Sequence, residues 1–223
     1  MPKAPALCSW SGGKDSCLAV HLAGDLGIET TTLVSVLEET QDRNRSHAIP
    51  TRLLQAQARQ MGVKLLTPRA IWTDYEKVFI ETLTQCRAEG LEHAVFGDID
   101  LRPHRDWEEK VCAAADVEAH LPLWDWPRDR VVDAIFELGI QAICVCLNTR
   151  FMPKSFCGRV FDRQFIADLP DGVDACGENG EFHTFVTWAP RFSAPVEAHV
   201  ADLRRYVAPA EHGGDEFWFA GLE

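Results

Sequence analysis

A short apolar run, Ala4 to Trp10, opens the chain and reads as a buried strand, and Cys17-Leu18-Ala19-Val20-His21-Leu22 reads as the first turns of a helix. The alternation then repeats. Thr31 to Leu37 is β-branched and apolar, a second strand. Pro50 to Met61 places Leu53, Leu54, Ala58 and Met61 at helical spacing, with Pro50 at the helix start. Val63 to Leu66 is a third strand, and Asp74 to Ala88 is a helix with Val78, Phe79, Leu83 and Cys86 on one face. His93 to Phe96 is a fourth strand, closed by Gly97-Asp98. Arg105 to Ala115 reads as a helix and Glu118 to Leu123 as a short strand. Arg128 to Leu138 is a helix ending at Gly139, and Ile140 to Leu147 is the last strong strand. This alternation predicts an α/β fold, a parallel sheet with helices on both faces.

The pattern changes beyond Leu147. Asn148 to Val160 is rich in Pro, Lys, Arg and Gly and has no clear period. Asp162 to Leu169 reads as a short helix, Asp171 to Gly180 as an acidic, glycine-rich loop, and Phe182 to Trp188 as an alternating strand. Short strands follow Pro190, with Val196 to Tyr206 ambiguous. We place a boundary near residue 150, dividing residues 1–150 from a small C-terminal α+β region, 151–223, that packs on the first part.

Composition changes this picture little. With 223 residues, 46% hydrophobic and 25% charged, the chain is of ordinary globular type. No apolar stretch is long enough to span a bilayer, and the N-terminus lacks the apolar core of a signal peptide, so a cytoplasmic protein is expected. The eight cysteines form no C-x-x-C pair, which fits reduced thiols and not a zinc site or disulfide scaffold. Cys144 and Cys146 share one face of a strand and read as buried. The net charge of −12, with Lys and Arg dispersed, speaks against a nucleic-acid partner.

The densest chemistry is the run Ser11-Gly12-Gly13-Lys14-Asp15-Ser16, between the first strand and the first helix. Glycines let the backbone turn sharply and let an anion approach its N–H groups. The helix start offers unpaired N–H donors and the positive end of the dipole. Ser11 and Ser16 add hydroxyls, and Lys14 adds a mobile positive charge. Asp15 would repel a phosphate unless a cation lay between them, which points to Mg2+. The run is not a Walker A loop, because Cys8 and Asp15 stand where that pattern needs Gly and Ser or Thr.

Ligands of parallel sheets bind beyond the carboxyl ends of the strands. Two further polar clusters fall there: Glu38, Glu39, Arg43, Asn44, Arg45, Ser46 and His47 after the second strand, and Gly97-Asp98-Ile99-Asp100 after the fourth. Asp98 could hold Mg2+ against phosphates or cap a turn. A last cluster, Gly177-Glu178-Asn179-Gly180-Glu181-Phe182-His183-Thr184, is either a substrate-facing segment or a solvated turn.

Taken together, SGGKDS near the N-terminus and Cys176-Gly177-Glu178-Asn179-Gly180-Glu181-Phe182-His183-Thr184 near the C-terminus resemble the paired motifs of the diphthine–ammonia ligases and their bacterial relatives, a family of N-type ATP pyrophosphatases. Gly97-Asp98-Ile99 and His47-Ala48-Ile49-Pro50 are similar to the family's fourth-strand end and second-strand loop, and His183 stands where the family often has Glu. The resemblance implies a Rossmann-like (HUP-type) fold with an ATP-binding part at 1–150 and a substrate-binding part at 151–223. It implies a ligase that adenylates a carboxylate, releasing pyrophosphate, and amidates it with ammonia. Ser11, Gly12, Gly13, Lys14, Asp15, Ser16, Gly97 and Asp98 would bind ATP, with Asp15 and Asp98 on Mg2+. His47 and residues Gly177, Glu178, Asn179, Gly180, Glu181, Phe182, His183 and Thr184 would face the acyl substrate. Lys14, Asp15, Glu181 and His183 would be catalytic, with Glu181 or His183 taking a proton from ammonium. Nitrogen would come from free ammonia or a partner, and a homodimer stays open. Two other readings also stay open: an adenylating sulfur transferase acting on tRNA, and a non-catalytic nucleotide-binding module of the same fold.

Overall fold

A computed structural model describes residues 3–45, 47–210 and 214–223; Ser46 of the second-strand loop lies outside them. From the N-terminus run β1 (Ala4–Ser9), α1 (Lys14–Asp25), β2 (Ile28–Val34), β3 (Leu37–Glu38), α2 (Thr51–Met61), β4 (Lys64–Leu66), β5 (Arg69–Ala70), α3 (Tyr75–Ala88) and β6 (His93–Val95). Then come α4 (Arg102–Ala114), β7 (Glu118–His120), α5 (Arg128–Glu137), β8 (Gln141–Asn148), α6 (Arg163–Ala167), β9 (Phe182–Trp188), β10 (Val200–Val207) and β11 (Glu216–Leu222).

The main sheet is five-stranded and parallel, in the order β4-β2-β1-β6-β7. Its strands are buried on both faces because successive side chains point to opposite sides. In β1, Ala6 and Cys8 join one core with α1, α2 and α5, while Leu7 joins a second core with α3 and α4. Leu53 and Leu54 of α2 are buried in the first core, each contributing about 1.5–3 kcal/mol. The Rossmann-like α/β architecture expected from the alternation is thus the observed one.

Ile140 to Leu147 departs from the expected alternation. As β8 it leaves the parallel sheet and lies inside a second, antiparallel sheet in the order β10-β11-β8-β9. A continuous apolar run buried on both faces suits either kind of sheet, so periodicity could not decide its partners. The ambiguous stretch Val196 to Tyr206 is largely extended: β10 pairs with β11 as an exposed hairpin. The two sheets share one core, in which Phe185 and Val186 of β9 pack with Leu18 and Ala19 of α1. That packing lays the start of β9 against the SGGKDS loop. No helix among the described residues is long and apolar enough to cross a membrane.

Candidate functional site

Gly12 has φ +85°, a left-handed conformation open to glycine at little cost. Its carbonyl accepts from Val186 N (2.9 Å) and from Gln57 Nε2 (3.0 Å), so β9 and α2 grip the loop from two sides. Ser11 Oγ accepts from Gly13 N (3.2 Å) and lies 3.1 Å from Ser16 Oγ, and Asn44 Nδ2 donates to Ser11 O (2.8 Å). The glycine at 13 is required by packing: a Cβ there would lie 2.5 Å from His47 Cε1. At Gly97 a Cβ would meet Ser16 N at 2.7 Å and the Asp15 carbonyl carbon at 2.8 Å. The end of β6 therefore abuts the first turn of α1, backbone to backbone, and brings Asp98 beside Asp15.

Lys14 is fixed where the sequence suggested a mobile cation. It is 1% exposed, and its ammonium donates to Asp15 Oδ2 (2.8 Å) and to the carbonyl of Cys176. The rings of Phe182 and Phe161 lie 5.3 and 5.6 Å from Nζ. Burial works against its charge, but Asp15, together with Cys176 and Glu178, outweighs burial and its pKa is raised. Asp15 is pushed up by burial despite Lys14, and its Oδ1 is buried with no hydrogen-bond partner among the described residues.

Further carboxyls lie close enough to act on Asp15 or on one another. Burial pushes Asp98 up, but His104, whose Nδ1 lies 2.7 Å away, and Glu108 together outweigh it, and Asp98 ends lowered while His104 is raised. Glu108, buried on α4, is pushed up to about 11 by burial and by Asp98, so it is protonated at neutral pH. Glu178 is pushed up to about 8 by burial and by Asp15. Among the described residues, two of these carboxyl oxygens, Asp15 Oδ1 and Glu108 Oε2, are buried without a hydrogen-bond partner, and hard oxygen donors of this kind fit a divalent cation such as Mg2+.

The 174–184 segment closes the site. Glu181 is buried, and its Oε1 accepts from Asp174 N (3.2 Å) and Asn179 Nδ2 (3.2 Å), its Oε2 from Asn179 N (2.9 Å). The expectation that Glu181 takes a proton meets a carboxylate whose two oxygens already hold the loop. Gly177, with φ +74°, leaves room for the Phe182 carbonyl, which a Cβ would approach to 2.6 Å. Thr184 Oγ1 accepts from Lys14 N (3.1 Å) and Thr184 O accepts from His47 Nδ1 (2.8 Å). His47 and His183 stack at 4.5 Å. Burial lowers His183 to about 4 and His47 well below its usual value, so both imidazoles are neutral. With its Nδ1 proton on a carbonyl, His47 keeps Nε2 as an acceptor.

The glycine loop, His47, Gly97-Asp98 and the 174–184 segment thus come together, whereas Glu38, Arg43 and Arg45 serve the second-strand loop and its contact with β5. Glu38 pairs with Arg43, and Arg45 donates to Ala70 O. Gln57, Glu108, His104 and Arg128 were missed. Gln57 is fully buried and also donates to Val186 O (2.7 Å) and accepts from Trp10 Nε1 (2.9 Å). Arg128 bridges Asp100 (2.9 Å) and Asp174 (2.6 Å), joining the fourth-strand end to the C-terminal loop. Gln57 and Glu108 had a signal, each being a polar residue on an otherwise apolar helix face; His104 and Arg128 lie in polar runs and had none.

Residues 4–119 match the diphthamide synthase N-terminal domain and residues 127–212 the diphthamide synthase C-terminal domain. The chain belongs to the diphthamide synthase family. Membership implies an enzyme of the ATP pyrophosphatase type, in agreement with the loop and its carboxylates. Among solved structures, a predicted subunit of tRNA methyltransferase from Methanocaldococcus jannaschii is similar to this diphthamide synthase family member at 17% identity. That likeness has a TM-score of 0.44 and covers 62% of this chain and 80% of that one. No curated protein matches the chain.

Proposed function

We propose that this protein is an ATP-dependent ligase that adenylates a carboxylate and amidates it with ammonia. The observation that carries the reading is Asp15 Oδ1, buried and without a partner among the described residues, beside Asp98 and Glu178 at the mouth of a glycine loop clamped by the C-terminal segment. Residues 1–150 bind ATP and residues 151–223 face the acyl substrate. Asp15 and Asp98 hold Mg2+, which when bound neutralises charge at the α- and β-phosphates.

The chain's own groups divide the remaining work. Ser11, Gly12, Gly13, Ser16 and Gly97 shape the phosphate cradle at the start of α1. Lys14 keeps Asp15 aimed and locks the 174–184 segment onto the loop. Attack of a carboxylate oxygen on the α-phosphate expels pyrophosphate, and ammonia then displaces AMP. Ammonium must lose a proton first. Glu178, a buried carboxyl of the closing segment beside Asp15, is the group we assign to that task, whereas His183, lowered to about 4 by burial, is too weak a base and serves to orient substrate. Glu181 positions Glu178 by holding the loop.

Sulfur transfer to tRNA would need an accessible thiol. All eight cysteines are buried, and burial pushes Cys146, Cys157 and Cys176 up to about 12, which favours amidation. The test is product analysis with ATP, Mg2+, ammonium and a panel of carboxylates. AMP and pyrophosphate should form only with a carboxylate present. ADP as the main product would overturn the reaction class, and no turnover with ATP still bound would support the non-catalytic module.

A further inference from the structure

Strands β6 and β7 pair with His93 opposite Glu118 and Val95 opposite His120. Ala94 and Ala119 point into the core beneath α3 and α4, so His93, Glu118 and His120 all project from the other face. His93 opens β6, while Gly97 and Asp98 follow its far end, so this cluster is separate from the phosphate loop. His93 Nδ1 lies 3.0 Å from His120 Nε2 and 3.4 Å from Glu118 Oε2, and His120 Nε2 lies 3.8 Å from the same oxygen. A tetrahedral ion with bonds of about 2.0–2.1 Å separates its donors by about 3.3–3.4 Å. The three observed separations bracket that edge.

We propose that His93, Glu118 and His120 form a divalent metal site of the Zn2+ class. Two imidazole nitrogens and one carboxylate oxygen are the borderline donor set that Zn2+ prefers and Mg2+ does not. Among the described residues, this is the group of His, Cys, Asp and Glu whose donor atoms converge closely enough for an ion of that size. The imidazoles approach each other at 3.0 Å, and Glu118, mostly exposed, lies 3.4 Å from His93 Nδ1 and 3.8 Å from His120 Nε2. Binding requires His93 as the Nε2–H tautomer and His120 as the Nδ1–H tautomer, leaving the facing nitrogens as lone pairs. Water completes the shell, since the site opens to solvent at the sheet edge.

The site has a structural consequence. β7 is an edge strand of three residues, held to the sheet by β6 alone. A metal across the pair would staple that edge to its neighbour and stabilise the fold by binding only the native state.

Chelator-treated protein, free of ATP and Mg2+, is titrated with Zn2+ by calorimetry and with Co2+ by visible absorption. The wild type should bind one equivalent that a His93→Ala/His120→Ala variant lacks, and the variant should lose the tetrahedral Co2+ bands. Zn2+ should raise the wild-type Tm but not the variant's. Asp98→Asn should keep the equivalent, which separates this site from the phosphate loop. Should the double variant fail to fold, Glu118→Gln removes a ligand from an exposed position and should lower the affinity without changing the fold. Equal Zn2+ stoichiometry and equal Co2+ spectra in the wild type and the folded variants would overturn the proposal.

Discussion

Two glycine-flanked polar loops, residues 11–16 and 174–184, use their charges in opposite ways. In the first, serine hydroxyls, Asn44 and Gln57 satisfy the backbone, and Lys14 satisfies one oxygen of Asp15. What remains over is Asp15 Oδ1, buried and unpaired among the described residues. In the second, Glu181 spends both oxygens on the N–H groups of its own loop, and what remains over is Glu178. A carboxylate in a dense polar motif is therefore either mortar or reagent, and the free lone pairs tell which. Unsatisfied buried groups are costly, and at Asp15 that cost is borne inside the glycine loop itself.

The comparison can be broken most sharply at Asp15. Asp15→Asn keeps an oxygen for Lys14 but removes the spare anionic one, and AMP formation should fall by about 10³-fold or more while the protein stays folded. Turnover near wild type in a pyrophosphate-release assay would empty that oxygen of its role. Next comes the pair within the second loop. Glu178→Gln should slow turnover by about 10²-fold and leave thermal stability unchanged or higher, since a crowding carboxyl is removed. Glu181→Gln should do the reverse in kind, costing about 2–3 kcal/mol in denaturant unfolding because charge-assisted hydrogen bonds are lost. If Glu181→Gln proved fully stable and Glu178→Gln fully active, the two roles would be exchanged.

Acid should loosen the clasp between the loops. His183 and His47 titrate lower in the fold than the ordinary 6.5, so below that pH the unfolded chain binds more protons. Their contribution is present above pH 6.5 and is lost as pH falls toward 4. Unfolding curves over that range should show stability dropping, with a shallower slope in His183→Gln; parallel slopes would contradict it. The smallest effect belongs to Asn179→Ala. Its side chain is exposed and its backbone N–H still reaches Glu181, so it should cost about 1 kcal/mol or less in the same measurement.

Much of this site was legible in the residues. Strand, glycine turn and helix located the cradle, and strand ends located Asp98. The polar density at 177–184 marked the second loop. Gly13 and Gly97 were legible as glycines but not as to reason: each makes room for protein, the His47 ring and the α1 backbone. Lys14 read as mobile because nothing near it in sequence covers it.

Local patterns determined by themselves the alternating elements, the parallel sheet and the position of the phosphate loop, because hydrophobic period and glycine turns act over a few residues. The tertiary structure decided the rest. It put β8 into the antiparallel sheet, since a strand buried on both faces carries no mark of its partners. It also chose which carboxylates are spare. That choice depends on donors far along the chain: Lys14 meets the Cys176 carbonyl across 162 residues, and His47 meets Thr184 across 137. Hydrogen bonds of that range form only once both sheets share a core, so no window of sequence contains them.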